Sequence, residues 1–353
     1  MRPFLYEALP QRVVFGPGRR AEVAAEVDRL GGQRIFLIND AAAAGPGDEL
    51  AHTLGGRVVV RWQEAIQHVP EDLAARARAA VSESAADVVV TVGGGSSTGL
   101  AKAIAASHGL PILAVPTTYA GSEQTSIYGV TGNRHKEVGK NPAVQPRTVV
   151  YDPELTLGLP TAVTGPSAFN ALAHSVEALY APGCNPVTSA IAMDGVRAIH
   201  QSLPTVMAEP GDLDARSELL YGAYLSGMAL GATSAAFHHK ICHVLGGAFN
   251  LVHADSHSVI LPHAIAFLAP ALPDEMARLA EALGVPGGDP GGALWDLAVA
   301  SQVPTTLAAL GLRRDDLAEA ARRAVADIPS APRPFDEADL LGLLERAFDG
   351  TRP

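Results

Sequence analysis

Histidine is concentrated in one short stretch of this 353-residue sequence. Residues 237–263 read FHHKICHVLGGAFNLVHADSHSVILPH and hold six of the 12 histidines in the chain. His239 and His243 are four residues apart, so a helix would place them on one face. His253 follows ten residues later, after a Gly-Gly break. Imidazoles at these spacings predict a metal site or an acid–base site.

A second polar pair with four-residue spacing lies upstream, at Asn170 and His174. These two side chains, with His239 and His253, are candidate ligands of a single ion. An Asn is a weaker ligand than a carboxylate because it lacks the charge that holds a divalent cation. The sequence therefore predicts a degenerate metal site that has lost its ion, with His243 as an acid–base group.

The remaining polar residues of the stretch are less informative. Lys240 is either a surface residue or a contact for an anionic substrate. His238, His257 and His263 have no comparable partners in the sequence, and we expect structural roles for them. We expect the segment around Pro262 to form the start of a helix.

A glycine-rich turn follows an apolar run in the N-terminal half. Residues 93–97 read GGGSS, and an Ala-rich segment comes next. Glycines let a backbone approach its ligand closely, and the N–H groups at a helix N-terminus suit a pyrophosphate. Gly94, Gly95 and Ser96 are therefore candidate contacts for a dinucleotide, although the turn lacks the G-x-G-x-x-G pattern.

Two further segments follow predicted strands in the same way. Thr117 and Thr118, in the sequence PTTYAGSE, offer hydroxyls to a phosphate, a ribose or a nicotinamide amide. Asp40 follows the strand at residues 34–38. It is either an acceptor for an adenosine ribose, which would favour NADH, or a helix N-cap. Asn39 is the alternative residue to face the ribose.

Composition bounds the class of protein. Hydrophobic residues make up 48% of the chain and charged residues 18%, which is typical of a soluble enzyme. The formal net charge of −11 disfavours a nucleic-acid partner. Two cysteines and the absence of a secretory signal or a long apolar run predict a cytoplasmic protein with no membrane partner.

The pattern of elements changes near Asp152. Before it, predicted strands alternate with helical segments, the strands lying at residues 34–38, 57–61, 87–92 and 111–115 and the helices at 70–84 and 99–107. After it, the predicted elements are all helices, at residues 167–180, 187–202, 215–231, 238–246, 273–283, 291–300, 314–326 and 337–348. We therefore predict an α/β dinucleotide-binding domain, residues 1–158, with a parallel sheet flanked by helices, and an all-α substrate and catalytic domain, residues 159–353.

Together these motifs resemble the iron-containing (group III) alcohol dehydrogenase family over nearly the whole chain. The resemblance rests on the glycine turn, the PTT loop, residues 151–153 (YDP), the Asn-x-x-x-His pair and the His-x-x-x-His pair. It implies a dehydroquinate synthase-like fold. In that family an Asp and three histidines hold the metal, and the matching positions here are Asn170, His174, His239 and His253. The resemblance also implies that His243 is a further active-site histidine and that Lys136 contacts the cofactor.

Within the family, several departures from the alcohol dehydrogenase pattern resemble a reductase branch. Gly99 stands where alcohol dehydrogenases carry an Asp, Asn170 replaces the ligand Asp, and residues 238–247 read HHKICHVLGG. This resemblance implies NAD(P)H-dependent reduction of the C=C bond of maleylacetate to 3-oxoadipate in the degradation of aromatic compounds. It implies NADH as cofactor, with NADPH as the alternative, no required metal, and a homodimer.

The expected roles follow from that reaction. His243 is the proton donor or relay, and His174, His239 and His253 orient the substrate. Lys240 and Arg134 pair with the carboxylates of the dianionic substrate.

Three alternatives stay open. One is a metal-dependent alcohol or polyol dehydrogenase of the same family. Another is a lyase of the dehydroquinate synthase kind, which needs a charged metal shell and more phosphate-binding basic residues. The third is a nucleotide-binding protein without catalytic activity.

Overall fold

The computed structural model describes residues 3–132 and 135–353, except for the side chains of residues 135–137. The chain divides into two compact units. One comprises Glu7–Leu159, and the other comprises Pro160–Pro353 together with residues 3–6. No helix in the described ranges has the length and hydrophobicity that crossing a membrane requires.

The first unit is built on a parallel sheet flanked by helices. Its strands are β1 Arg12–Phe15, β2 Ile35–Asn39, β3 Val58–Trp62, β4 Val88–Gly93, β5 Ile112–Pro116, β6 Ile127–Gly132, β7 His135–Lys140 and β8 Thr148–Tyr151. Its helices are α1 Val23–Arg29, α2 Ala44–Leu54, α3 Glu71–Ser84 and α4 Gly95–His108. Six of the described strands form the sheet, in the order β1-β8-β5-β4-β2-β3, and β6 and β7 form an antiparallel hairpin.

Alternate residues of the central strands enter two separate cores, because successive side chains in a strand point to opposite faces. Phe36 and Ile38 of β2 pack with residues of α3 and α4. Ile35 and Leu37 pack with residues of α1 and α2. Helices therefore cover both faces of the sheet, which explains why the central strands read as continuous apolar runs.

The strand register places three loops at one edge of the sheet. Gly93 at the end of β4 pairs with Pro116 at the end of β5, and Asn39 at the end of β2 pairs with Val92. The glycine turn, the PTT loop and Asp40 come directly after these residues. The three segments therefore meet at the carboxyl edge, where ligands of such sheets bind.

The predicted fold class is confirmed, and the four predicted strands lie within two residues of β2–β5. Strands β1 and β8 and the β6–β7 hairpin were not predicted from the sequence. β1 and β8 have only four residues each, RVVF and TVVY, which is short for recognition from composition. Thr148 and Val149 of β8 nonetheless pair with both β1 and β5, so β8 is part of the sheet interior.

The second unit contains helices and no strand among its described residues. Its helices are α5 Thr161–Glu177, α6 Pro186–Ala208, α7 Leu213–Ala232, α8 Phe237–Phe249, α9 His253–Leu268, α10 Pro273–Ala282, α11 Pro290–Ala300, α12 Leu317–Asp327 and α13 Glu337–Asp349. Helices α5, α6 and α7 pack against one another, and α9 packs against α5, α8, α11 and α13.

Two expectations about the histidine-rich stretch are wrong. The segment around Pro262 is not a helix start, because α9 begins at His253 and continues through Pro262. Burial of every residue from Ser256 to Ile265 outweighs the cost of proline inside a helix. The Gly-Gly pair is not a break either, because α8 continues through it to Phe249, and Asn250 caps the helix in a left-handed conformation.

The carboxylate of Asp152 ties the end of β8 to the start of the first unit. It is fully buried and accepts hydrogen bonds from the backbone N–H groups of Gly18 (3.0 Å) and Arg20 (3.0 Å) and from Arg20 Nη1 (2.8 Å). It also caps the short helical turn that starts at Pro153. Residues distant in sequence are therefore held together by one buried charge.

Substitution of Asp152 with Ala is expected to lower the free energy of unfolding by about 3 kcal/mol, because it leaves the backbone N–H groups of Gly18, Arg20 and Glu154 without their buried acceptor. The matched control is Glu49→Ala, which removes a more exposed carboxylate paired with the same Arg20 (2.8 Å). It is expected to cost at most about 1 kcal/mol. Urea unfolding followed by circular dichroism measures both, and similar midpoints for the two variants would contradict the role of Asp152.

Candidate active site

In the first unit, the glycine turn leads directly into the N-terminus of α4, and its glycines leave the backbone there uncovered by side chains. Gly93 has φ +146°, a conformation that L side chains rarely adopt, and α4 begins two residues later. A Cβ atom on Gly93 would lie 2.5 Å from Ser97 Oγ, and one on Gly94 would lie 3.0 Å from the Thr118 side chain. The turn therefore requires glycine, and the first N–H groups of α4 suit a phosphate group.

The PTT loop packs onto this turn. The backbone N–H of Thr117 donates to the carbonyl of Gly93 (3.1 Å), and Thr118 lies against Gly94. Ala120 lies over Gly95. The structure thus brings together the predicted cofactor contacts of the two loops, Gly94, Gly95, Thr117 and Thr118, and Ser96 lies in the first turn of α4.

Asp40 acts as an N-cap in this structure. Its carboxylate accepts from the backbone N–H of Ala43 (3.0 Å) and from Ser97 Oγ (3.1 Å) at the start of α4. Asn39 is fully buried, and its Oδ1 accepts from Arg61 Nε (3.2 Å). Since Asp40 is only half-buried and Asn39 is enclosed, Asp40 is the better placed of the two for an adenosine ribose.

Six imidazoles form one cluster in the second unit. His174 comes from α5, His238, His239 and His243 from α8, and His253 and His257 from α9. The ring of His239 is central, since its centroid lies 5.0 Å from that of His174, 4.6 Å from that of His257 and 6.2 Å from that of His243. The predicted residues His174, His239, His243 and His253 therefore belong to one site. Asn170 lies on the same helix as His174, one turn earlier.

The expectation that His238 and His257 lack comparable partners is wrong. His257 Nε2 lies 3.0 Å from His253 Nε2, and His257 Nδ1 lies 2.8 Å from His238 Nε2. The three rings form a hydrogen-bonded chain in which each contact holds one proton. His263, by contrast, lies outside the cluster, against Trp295.

Glu177, which organises the cluster, was not predicted from the sequence. Its carboxylate is buried at the N-terminus of α8, where it accepts from the backbone N–H groups of Ala236 (3.1 Å), His238 (2.7 Å) and His239 (3.2 Å). It also accepts from Nδ1 of His239. Nε2 of His239 is thereby left as the nitrogen with a lone pair, and it is buried with no hydrogen-bond partner in the described part of the chain.

The protonation states of these groups follow from their surroundings. Burial alone would raise the pKa of Glu177, but His239 and the helix N-terminus lower it to about 2, so the carboxylate is ionised at neutral pH. Burial lowers the pKa of His238 to about 3 and the pKa values of His174 and His257 well below their usual range. These three imidazoles are neutral at pH 7.

Exposure to solvent differs across the cluster. His174, His238, His239 and His257 are buried, His253 is half-buried and His243 is exposed. His243 is thus the member that exchanges protons with water most readily.

The predicted cationic contacts are less well supported by the geometry. Lys240 Nζ lies 3.4 Å from Asp327 Oδ2, which favours the surface interpretation of this lysine. Arg134 lies outside the described residues. Lys136 belongs to β7, and its side chain is likewise outside what the structure describes.

Comparison with known proteins identifies the family. The family model for iron-containing alcohol dehydrogenases matches residues 10–153, and the model for the C-terminal part of that family matches residues 162–348. The chain belongs to the iron-containing alcohol dehydrogenase family, and the resemblance predicted from the sequence is confirmed.

Relatives with assigned activities belong to its reductase branch. A maleylacetate reductase from Burkholderia cepacia is 49% identical over the full length of both chains. One from Sphingobium indicum is 46% identical over 99% of each chain. The crystal structure of a maleylacetate reductase from Agrobacterium tumefaciens superimposes with a TM-score of 0.96 over all of both chains, at 44% identity.

The family name raises the question of a metal ion. His174 Nδ1 and His239 Nε2 are buried without hydrogen-bond partners among the described residues, and imidazole nitrogens suit d-block cations. The carboxylate behind His239 is the outer-shell partner that metal-bound histidines commonly have. Asn170, His174, His239 and His253 therefore fit a divalent d-block cation by ligand type, but none of the four carries a negative charge.

Substitution of Glu177 with Gln is expected to lower the free energy of unfolding at pH 7 by on the order of 3 kcal/mol, because the charge that binds the start of α8 is lost. The folded-state pKa of Glu177 is depressed, so its contribution is present above about pH 4.5 and is lost as the pH falls toward 2. The stability difference from wild type should therefore shrink over this range in urea unfolding at several pH values. A control variant at an exposed helix position, Glu345→Gln, should show no such trend. A difference for Glu177→Gln that stays constant down to pH 2.5 would contradict the assignment.

Proposed function

We propose that this protein reduces the C=C bond of maleylacetate to give 3-oxoadipate, with NADH as the electron donor. The curated relatives named for this reaction match the chain from end to end. The single observation that carries the proposal is the charge of the histidine cluster. The imidazoles of His174, His238 and His257 are neutral, position 170 carries an amide, and the carboxylate of Glu177 is already engaged by a helix N-terminus.

That charge suits the substrate. Maleylacetate is a dianion, and a carboxylate facing it would oppose binding in a partly buried site. Asn170 offers the shape of an Asp without that charge. The single carboxylate of the cluster, Glu177, directs its oxygens at backbone N–H groups and at His239 and so away from a ligand of the imidazoles.

The first unit supplies the contacts for the cofactor. The N-terminus of α4 faces the pyrophosphate, and Thr117 and Thr118 hold the loop beside it. Asp40 accepts from the adenosine ribose and disfavours a 2′-phosphate, so NADH is preferred over NADPH. When bound, the cofactor supplies a hydride to the alkene carbon β to the ketone of maleylacetate.

The histidines stabilise the negative charge that forms on the substrate and deliver the proton that completes the reduction. Electrons from the reduced double bond move onto the ketone oxygen, and this oxyanion needs hydrogen-bond donors. His174, whose Nδ1 is buried without a hydrogen-bond partner among the described residues, supplies an N–H group for the oxyanion. His239 gives its Nδ1 proton to Glu177 and, with His253, orients the substrate. His243, exposed at the edge of the cluster, delivers the proton to the carbon beside the ketone and recovers one from water. The predicted homodimer and cytoplasmic location stay predictions.

A second candidate function is a metal-dependent alcohol or polyol dehydrogenase. The observation that favours it is the Glu177–His239 contact with Nε2 of His239 left without a partner among the described residues. A bound d-block cation would be held by Asn170, His174, His239 and His253 and would act as a Lewis acid on a substrate oxygen.

Protein treated exhaustively with a chelator is expected to keep its full turnover of NADH with maleylacetate, because the proposed site uses imidazole N–H groups in place of a cation. The assay follows NADH absorbance, and metal content is measured on the same sample. Turnover that disappears on chelation and returns with Fe²⁺ or Zn²⁺ would support the second candidate function.

Substitution of His243 with Ala is expected to lower kcat with maleylacetate by about 100-fold or more, because it removes the proton donor. The affinity for NADH, measured by fluorescence titration, should change little. His52→Ala removes an exposed imidazole from the first unit and serves as the control. Full turnover by the His243 variant would contradict the role of His243 as proton donor.

A further inference from the structure

A buried lysine ties α4 to the loop that follows the PTT sequence. Lys102 lies on α4, two helical turns after the glycine turn, and its side chain is fully buried. Its Nζ donates to the carbonyl of Ser122 (2.6 Å), to Oγ1 of Thr125 (2.8 Å) and to the carbonyl of Ile127 (2.8 Å). One side chain therefore bridges a helix to three residues of the segment that leads into β6.

The hydrogen bonds define the protonation state of this lysine. Carbonyl oxygens only accept, and the hydroxyl proton of Thr125 is already donated to the carbonyl of Ser122 (3.1 Å). These three contacts each require an N–H of Nζ, and only the ammonium form has three N–H groups. Burial lowers the pKa of Lys102 to about 7, while the charge of Glu123 opposes that shift. The three hydrogen-bond acceptors stabilise the ammonium form of Lys102 relative to the neutral amine.

The same segment is held by a second buried network. Tyr151 donates its hydroxyl proton to Glu123 Oε1 (2.7 Å) and accepts from Gln124 Nε2 (3.0 Å). Gln11 Nε2 donates to the carbonyl of Glu123 (2.9 Å). Because the buried ammonium of Lys102 is bound by acceptors of this segment, its role is to hold the segment in place and not to attract a phosphate at long range.

The loop held in this way carries the proposed cofactor contacts. The chain runs from Thr117 and Thr118, which pack on Gly93 and Gly94, through Gly121 to the residues bound by Lys102. Helix α4 thus contacts the loop in two places. The start of the loop packs against the N-terminus of α4, and the later residues bind Lys102. Release of the second contact would leave the threonines free to move away from the glycine turn.

We infer that Lys102 is a positioning residue for the cofactor, which holds the loop of residues 117–127 in the conformation that binds NADH. The inference rests on the proposed function, because it assigns a role toward the cofactor of that reaction. Lys102 does not contact the reacting atoms. A loop that spends less than a tenth of its time in the binding conformation weakens apparent affinity by about tenfold.

The test compares variants of the full-length protein by fluorescence titration with NADH. Lys102→Met keeps the apolar stem and removes the three N–H groups, and the Kd for NADH should rise by about tenfold or more. At saturating NADH and maleylacetate, kcat should stay within about twofold of wild type, because bound cofactor restores the loop conformation. Thr125→Val removes one acceptor at nearly constant volume and should shift Kd in the same direction by a smaller factor.

The matched control is Ile104→Ala, which truncates another fully buried side chain of α4 that packs in the apolar core. It should lower the melting temperature and leave the Kd for NADH unchanged. A folded Lys102→Met protein with wild-type affinity overturns the inference, as does an equal loss of affinity in Ile104→Ala. If Lys102→Met does not fold, an unchanged Kd in Thr125→Val overturns it.

The wild-type titration separates this inference from the proposed function. A wild-type protein that binds neither NADH nor NADPH overturns both. A wild-type protein that binds NADH and reduces maleylacetate, with variants that bind equally well, overturns only the positioning role of Lys102.

Discussion

The histidine cluster depends on one interaction, the carboxylate of Glu177 at the N-terminus of α8. Three backbone N–H groups that a helix end leaves without intrahelical partners converge on its two oxygens. The same carboxylate accepts the Nδ1 proton of His239, so it determines where α8 begins and which nitrogen of His239 carries the proton. The cluster around His239, with His174 on one side and His257 on the other, takes its orientation from this contact.

The first unit also contains buried charges compensated by hydrogen bonds, and there they have both signs. Lys102 is a buried cation whose partners are loop carbonyls and a hydroxyl, and Asp152 is a buried anion whose partners are backbone N–H groups and Arg20. In all three places a full charge inside the protein is compensated by dipoles of irregular backbone. Such groups are costly to leave unpaired, so each arrangement specifies one loop conformation strongly.

Much of the fold was predictable, because its signals are local. The buried strands β2, β4 and β5 are short β-branched runs, and the turn at Gly93 to Gly95 follows one of them directly. Helix α9 was missed since Pro262 suggested a helix start, and only tertiary burial overrides that local preference.

In the site, the spacing that identified His239 and His243 also relates His253 to His257, so His257 could have been predicted from the sequence. Glu177 lies three residues after His174, a helical spacing that was also informative. The contact between His238 and His257, 19 residues apart, depends on how α8 packs against α9 and no spacing reveals it.

The position of Asn170 is explained by the charges around it. An Asp there would place a negative charge one helical turn from His174, whose imidazole is held neutral by burial, as are those of His238 and His257. An isolated carboxylate in such surroundings is unfavourable, and it would also repel a dianionic substrate. Asn170 adds no charge. The carboxylate of Glu177 lies on the Nδ1 side of His239 and accepts hydrogen bonds from a helix N-terminus. In the proposed reaction, maleylacetate and the oxyanion that forms on it therefore meet no carboxylate from position 170, and the charge of Glu177 is engaged by backbone N–H groups.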